Sequence, residues 1–85
     1  MYKVIISNKV VKEIDNLPDN NFLRIDEVIQ ALKENARLVG SIKLTDIEGY
    51  RIKIGDYRIL YTINENLKEI HIFKVIHRKD AYKRK

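Results

Sequence analysis

Apolar side chains recur with a helical period in the first half of the chain and with a strand period in the second half. The opening stretch YKVIIS alternates and predicts a short strand, after which Ser7 or Asn8 can cap a helix. Pro18 and the two residues after it end that helix and cap a second one, which should stop before Gly40. Each predicted helix carries an apolar stripe: Val10, Val11, Ile14 and Leu17 on the first, and Phe22, Ile25, Ile29, Leu32 and Ala36 on the second.

The second half of the chain is typical of β-structure. SIKLTDI predicts a short strand or an extended approach to the sheet, and YRIKI, YRILYTI and EIHIFKVIH predict strands rich in β-branched and aromatic residues. RKDAYKRK should close the chain as a short helix or tail. The predicted fold class is α+β: an N-terminal strand, a helical hairpin, then an antiparallel β-meander that forms a sheet of about three or four strands. At 85 residues, a single domain over 1–85 is expected.

The stretch YRIKIGDYRILY predicts a hairpin whose two-residue turn, Gly55-Asp56, sets the strand register. Lys53 then opposes Arg58 and Arg51 opposes Leu60 on one face. The isoleucines and tyrosines of the hairpin share the other face, which should lie beneath the helices. Like charges placed opposite each other cost up to about 1 kcal/mol. The cationic face is therefore either a solvated sheet surface or a phosphate-binding surface, where the phosphate supplies the missing counter-charge.

The last predicted strand should extend this cationic face. If Ile63 opposes Ile70, strict alternation places His71, Phe73, Val75 and His77 on the same face as the cations. His77 would then lie near Lys53 and Arg58, with Arg78 and Tyr82 just beyond the strand. His71 and Phe73 are expected to be packing residues. Ordinary alternatives are a surface histidine at a strand end for His77 and an aromatic anchor of the C-terminal segment for Tyr82.

Composition narrows the range of partners and cofactors. The chain has no cysteine, so disulfides and thiolate metal sites are excluded, the cytoplasm is the expected compartment, and no metal or other cofactor is predicted. No apolar run is long enough to span a bilayer, and no membrane partner is expected. Residues 43–85 hold eleven Lys or Arg against six Asp or Glu, which accounts for the whole net charge of +5. This basic half suggests a polyanionic partner, although a solubilising surface with a lysine-rich tail would look the same.

Two segments carry a family resemblance. GYRIKIGDYRILY and HRKDAYK, in this order behind a two-helix start, make the chain similar to the RelE/ParE superfamily of bacterial and archaeal toxins. The resemblance covers nearly the whole chain. It implies a toxin of a type II toxin–antitoxin system with a RelE-like fold. For RelE-type members it implies a metal-independent mRNA interferase that cuts mRNA in the ribosomal A site. There the 2′-hydroxyl attacks the phosphate and leaves a 2′,3′-cyclic phosphate.

The resemblance also implies roles for six residues. The negative charge that develops at the phosphate would be stabilised by Arg51, Arg58 and Arg78. Neighbouring cations disfavour the charged form of a lysine, so Lys53 is a candidate general base. His77 could share acid or base work, and Tyr82 could stack on a base or orient the 2′-hydroxyl. Two departures stand out: the best-known RelE has lysine where this chain has Arg51, and the hairpin turn is shorter than in some relatives.

The resemblance implies partners and leaves alternatives. The expected partners are a cognate acidic RelB-like antitoxin, the ribosome and mRNA, with operator DNA bound only through the toxin–antitoxin complex. The main alternative is a ParE-type toxin that binds and poisons DNA gyrase without cutting RNA. A third is a nucleic-acid-binding module without activity, which rests on charge alone. The full set of basic residues together with Tyr82 favours the RelE type over these two.

Overall fold

A computed structural model describes residues 1–77 and residue 79. Two helices precede most of the sheet, in agreement with the predicted α+β class. Neither helix is long and apolar enough to cross a membrane within this described part of the chain. The elements are β1 (Lys3–Ile6), α1 (Asn8–Asp15), α2 (Asp19–Glu34), β2 (Ile42–Lys43), β3 (Tyr50–Ile54), β4 (Tyr57–Asn64) and β5 (Glu69–His77).

The start of each helix follows a local sequence signal, whereas the end of α2 does not. Ser7 caps α1, because its hydroxyl accepts a hydrogen bond from the Val10 amide at 3.3 Å. Pro18 stands at the N-cap of α2 without a side-chain hydrogen bond. The second helix does stop before Gly40, but Gly40 is not its C-cap: α2 ends at Glu34 with an extended Asn35, and Gly40, with φ +95°, lies in a turn six residues after Glu34. Ala36 therefore lies beyond the helix, yet it remains buried.

The sheet is larger than the sequence predicted, because both short strands join it. Its five strands run in the order β1-β5-β4-β3-β2, and β1 pairs parallel to β5 while the other pairs are antiparallel. The hairpin of β3 and β4 has the predicted register: Lys53 opposes Arg58, and Arg51 opposes Leu60. The two-residue turn determines this register, which is why the local sequence was sufficient to predict it.

The core lies between the helices and one face of the sheet. Ile52, Ile54, Ile59 and Tyr61 occupy the predicted apolar face of the hairpin and are all buried. The Tyr61 hydroxyl donates a hydrogen bond of 3.0 Å to the carbonyl oxygen of Ala36, and burial raises the pKa of this phenol. That bond ties the segment after α2 to the central strand β4.

A β-bulge interrupts the pairing of β4 with β5. Leu60 opposes Lys74, but the next residue, Tyr61, opposes Ile72, so Phe73 is the extra residue of β5. Ile63 opposes Ile70 as expected, but alternation beyond the bulge is reversed. Val75 is consequently buried against the core, not placed on the cationic face as the strict alternation predicted.

Candidate functional site: a cationic cleft on the open face of the sheet

Three of the six predicted site residues line one concave cleft. Arg51, Lys53 and Arg58 surround a cavity of about 190 Å³ together with Gly40 and Ile42. The cleft lies on the face of the hairpin that points away from the helices, which we call the open face. Rigid, paired strands hold the three cations, so the arrangement suits a phosphate group with its several acceptor oxygens.

The cleft has one wall that does not belong to the hairpin of β3 and β4. Ile42 belongs to the edge strand β2 and pairs with Arg51, and Gly40 lies in the turn that leads into that strand. Gly40 has φ +95°, a conformation that glycine adopts readily, and a Cβ there would meet nothing within 4 Å. The segment after α2 therefore closes the cleft beside the cations.

Burial separates the roles of the three cations. Arg58 is only 6% exposed, Arg51 is half-buried and Lys53 is exposed. Arg58 does not extend into solvent, so a fully solvated sheet face does not describe this surface. Because screening by water is weaker at a buried position, the charge of Arg58 acts more strongly on an anion in the cleft than a surface charge would.

An arginine from α2 contacts the turn of the hairpin. A Cβ on Gly55 would lie 2.8 Å from one terminal guanidinium nitrogen of Arg24, so Arg24 packs directly on the turn. Gly55 has φ +57°, the left-handed region in which glycine is favoured. Glycine at this position therefore allows both the turn geometry and the close approach of Arg24. The contact with Arg24 holds the turn of the hairpin against the helical layer.

His77 does not lie where strict alternation placed it. The bulge puts it opposite Tyr57, on the helix-covered face, and the two rings meet edge-to-face with centroids 5.1 Å apart. Its Nδ1 accepts a hydrogen bond of 3.1 Å from the backbone amide of Lys79. The predicted placement of His77 on the cationic face is therefore wrong. His77 instead holds the start of the C-terminal segment, and a part in catalysis stays a prediction.

The remaining two predicted residues, Arg78 and Tyr82, lie outside the described residues.

One basic residue on the open face was missed. Lys74 opposes Leu60, which in turn opposes Arg51, so these three side chains form one row across β5, β4 and β3. The sequence did contain a signal: Ile72 and Val75 are both apolar but three residues apart, which breaks the alternation that Ile70 and Ile72 begin. Such a break within a strand indicates a bulge.

A larger, shallower depression at the other end of the sheet suits an anion less well. It measures about 560 Å³ and is lined by Glu48, Glu65 and His71 among others. Its carboxylates repel phosphate, and His71 already lies 3.0 Å from Glu69. Within residues 1–77 and 79, no three His, Asp or Glu side chains are grouped so as to hold a metal ion.

A polar network joins several loops at the end of the hairpin distant from its turn. Glu65 accepts hydrogen bonds from Arg37 at 2.6 Å and from Tyr2 at 2.8 Å. The Arg37 guanidinium also lies over the Tyr50 ring, 5.6 Å from its centroid. The hydrogen bond from Arg37 lowers the pKa of Glu65, and the same bond raises the pKa of Arg37.

Comparison with known proteins identifies the family. A family model described as the ParE toxin of type II toxin–antitoxin systems matches residues 4–82. The chain belongs to the RelE/ParE superfamily of type II toxins. RelE1 of Methanocaldococcus jannaschii is 30% identical over 86 residues, which cover 96% of each chain.

Solved structures of RelE/ParE toxins share the fold. RelE in the archaeal RelE–RelB complex from Pyrococcus horikoshii is 31% identical, with a TM-score of 0.78 over 91% of this chain and 94% of that one. Isolated Escherichia coli RelE has a TM-score of 0.79 at 19% identity, over 91% of this chain and 84% of that one. The predicted RelE-like α+β fold is therefore confirmed.

Proposed function

We propose that this toxin is a ribosome-dependent endoribonuclease that cuts mRNA in the A site. The convergence of Arg51, Lys53 and Arg58 on one cleft is the observation that carries the proposal. Lys53 and Arg58 are directly opposed, so a phosphate bound between or beside them would contact both cations. Cleavage that uses the RNA's own 2′-hydroxyl as the nucleophile depends mainly on positioning of the RNA and on stabilisation of the negative charge at the phosphate. A cationic cleft supplies both.

The proposed reaction gives a role to each of the three basic residues that line the cleft. Lys53, the exposed member of the three, acts in its neutral amine form: it takes the proton of the 2′-hydroxyl as that oxygen attacks phosphorus, and becomes the ammonium. The bond from phosphorus to the 5′-oxygen breaks, which leaves a 2′,3′-cyclic phosphate and a 5′-hydroxyl. Arg58 and Arg51 donate hydrogen bonds to the phosphate oxygens as their negative charge grows. We assign protonation of the 5′-oxygen and orientation of the nucleotide to the C-terminal segment, with Arg78 and Tyr82 as the proposed residues.

Mapping of mRNA ends on translating ribosomes tests the proposal. We expect wild-type protein to produce cuts in the A-site codon, and Lys53→Ala to lower the single-turnover rate by about 10²-fold or more. Lys9→Ala is the matched control, because it removes one exposed lysine from α1, on the other side of the sheet. Cleavage at the wild-type rate by Lys53→Ala would remove Lys53 from the reaction.

Arg58→Lys separates charge from geometry. Lysine keeps the positive charge but loses the planar, two-pronged donor group of arginine. We expect this variant to remain folded and to lose most of the cleavage rate. Full activity would mean that Arg58 acts as a point charge only.

A second candidate is a ParE-type toxin that poisons DNA gyrase, and the ParE description of the matching family model favours it. Two results would support this candidate: mRNA on ribosomes stays intact, and gyrase produces DNA breaks only when wild-type protein is present. The cationic cleft would then be a binding surface.

We also propose a RelB-like acidic antitoxin as the cognate partner, because the solved relatives from Pyrococcus horikoshii and Methanococcus jannaschii are complexes with RelB. The proposed compartment is the cytoplasm, where the ribosome and the mRNA are found, and the proposed contact with operator DNA is made only through the toxin–antitoxin complex. Co-purification of this toxin with the antitoxin encoded beside it tests the partnership.

A further inference from the structure

The bulge at Phe73 changes which side chains of β5 reach the open face. Without it, Val75 and His77 would face the same way as Arg58. With it, Lys74 and Ile76 do so, because Lys74 opposes Leu60 and Ile76 opposes Arg58. Bulges are common beside active sites, where they redirect a side chain. Here the side chain that is brought to the open face beside the cleft is a lysine.

Lys74 is placed to serve a second phosphate rather than the one in the cleft. One strand, β4, separates it from Arg51 within the same row, so their Cα atoms are on the order of 10 Å apart at ordinary strand spacing. Leu60 lies between them and carries no charge. Lys74 is too distant to bind the same phosphate as the three cations of the cleft. A neighbouring phosphate of the same RNA strand is within reach of its long side chain.

Nothing described on the protein neutralises Lys74. Its side chain is exposed, and within residues 1–77 and 79 it forms no ion pair or hydrogen bond. The lysine at the far end of the sheet, Lys68, does have such a partner, because it lies 3.5 Å from Glu65. Lys74 thus adds an uncompensated charge to a face that already holds Arg51, Lys53 and Arg58.

The bulge residue, Phe73, provides an aromatic surface next to Lys74. The Phe73 ring crosses β4 on the open face and reaches Gly49, where its Cε1 is 3.6 Å from the position that a Cβ would take. Phe73 remains 38% exposed, so an apolar surface borders the lysine. An aromatic surface beside a cation is the combination that single-stranded RNA meets in many of its binding proteins.

We propose that Lys74 is a positioning residue that binds a phosphate of the RNA next to the one that is cleaved. The proposal rests on the RNA-cleaving function argued above and adds a residue outside the family-derived set. Because this phosphate does not react, its contact is equally strong before and during the reaction. Loss of Lys74 should therefore weaken binding of the message and leave the saturated cleavage step nearly unchanged.

The experiment compares Lys74→Gln with Lys9→Gln, since each removes one exposed lysine charge and keeps a long polar side chain. With programmed ribosomes, we expect Lys74→Gln to raise the half-saturating concentration about 5- to 10-fold and to change the saturated single-turnover rate less than about 2-fold. Lys74→Arg should restore wild-type values. A merely structural role would instead lower the thermal stability of Lys74→Gln, which we expect to match that of Lys9→Gln.

A second measurement separates this proposal from the proposed function. Binding of an RNA oligonucleotide with 2′-O-methyl groups, which cannot be cleaved, is followed against salt concentration. Loss of one phosphate contact should reduce the log–log salt slope by about 0.7 for Lys74→Gln, with no change for Lys9→Gln. That result without any mRNA cleavage by wild-type protein would overturn the nuclease function but support Lys74 as an RNA contact.

Equal slopes and equal half-saturating concentrations for the two glutamine variants would overturn the proposal. Unchanged RNA binding with weaker capture of an acidic antitoxin would overturn it as well, because the lysine would then belong to a protein interface. A drop in the saturated rate comparable to that of Lys53→Ala would also contradict a positioning role.

Discussion

At the scale of single residues, Gly49 is the glycine that lies closest to backbone atoms of another strand. This glycine has φ +141°, and a Cβ on it would lie 2.9 Å from the backbone oxygen of Tyr61 and 3.3 Å from Leu44. Backbone cannot move aside as a flexible side chain can, so any other residue forces β3 and β4 apart. Gly49 therefore determines how closely the backbone just before β3 packs against β4, the central strand.

Gly49→Ala should destabilise the protein by about 2 to 4 kcal/mol, because backbone strain at positive φ and a steric clash add together. Gly40→Ala is the matched control: it also has positive φ, but open space surrounds its Cβ, so about 1 kcal/mol is expected. Urea denaturation of the two variants measures the difference. Equal losses would show that strain alone matters at Gly49.

At the scale of elements, the segment after α2 is tied to β4 by one buried contact. The Tyr61 side chain is fully buried, and its hydroxyl satisfies the carbonyl oxygen of Ala36. The same segment continues to Gly40 and Ile42, which line the cationic cleft. Anchoring at Ala36 therefore helps to keep the wall of the cleft in place.

Tyr61→Phe should cost about 1 to 2 kcal/mol of stability, since the carbonyl of Ala36 stays buried without its donor. Tyr57→Phe is the control, because the hydroxyl of Tyr57 makes no hydrogen bond within the described residues. Chemical denaturation of both variants tests this. Equal stabilities would mean that the Tyr61 hydroxyl adds nothing beyond the packing of its ring.

At the scale of the whole molecule, charge is divided between two ends of the sheet. Arg51, Lys53 and Arg58 concentrate positive charge near the hairpin turn, whereas Glu65 gathers Arg37, Tyr2 and Lys68 at the other end. The second cluster combines both signs of charge and joins the N-terminus, the segment after α2 and the β4–β5 turn. The first cluster lines a cleft of one sign, which suits an anionic partner.

The Glu65 network predicts a pH dependence of stability. Folding lowers the pKa of Glu65, chiefly through its hydrogen bond with Arg37, so the network stabilises the protein above the unfolded carboxyl pKa. That contribution is lost as the pH falls through the folded pKa. Because both partners are solvent-exposed, the effect is small.

Glu65→Gln should lower the thermal midpoint slightly at pH 7, and this difference from the wild type should decrease as the pH falls below the unfolded carboxyl pKa. Glu48→Gln, at an exposed carboxylate without a described ion pair, is the control. A difference between the wild type and Glu65→Gln that persists undiminished at pH 3 would contradict the assignment.

Local sequence alone determined the elements and the hairpin register. Period and capping signals act within a few residues, so β1, the start of α1 and the three long strands were all predicted from their own neighbourhoods. The turn at Gly55-Asp56 is equally local, and it correctly placed Arg51, Lys53 and Arg58 on one face. The cationic face, and with it the family resemblance, followed from these short-range rules.

Only the tertiary structure decided how distant segments meet. The bulge at Phe73 depends on the pairing of two long strands across a loop that does not set their register. This pairing placed His77 on the helix-covered face and Lys74 on the open face. The burial of Arg58 and the wall formed by Gly40 and Ile42 likewise depend on segments that lie far apart in the chain. Residues many positions apart become neighbours only when the chain packs, so short-range patterns identified the cationic residues, whereas packing built the cleft around them.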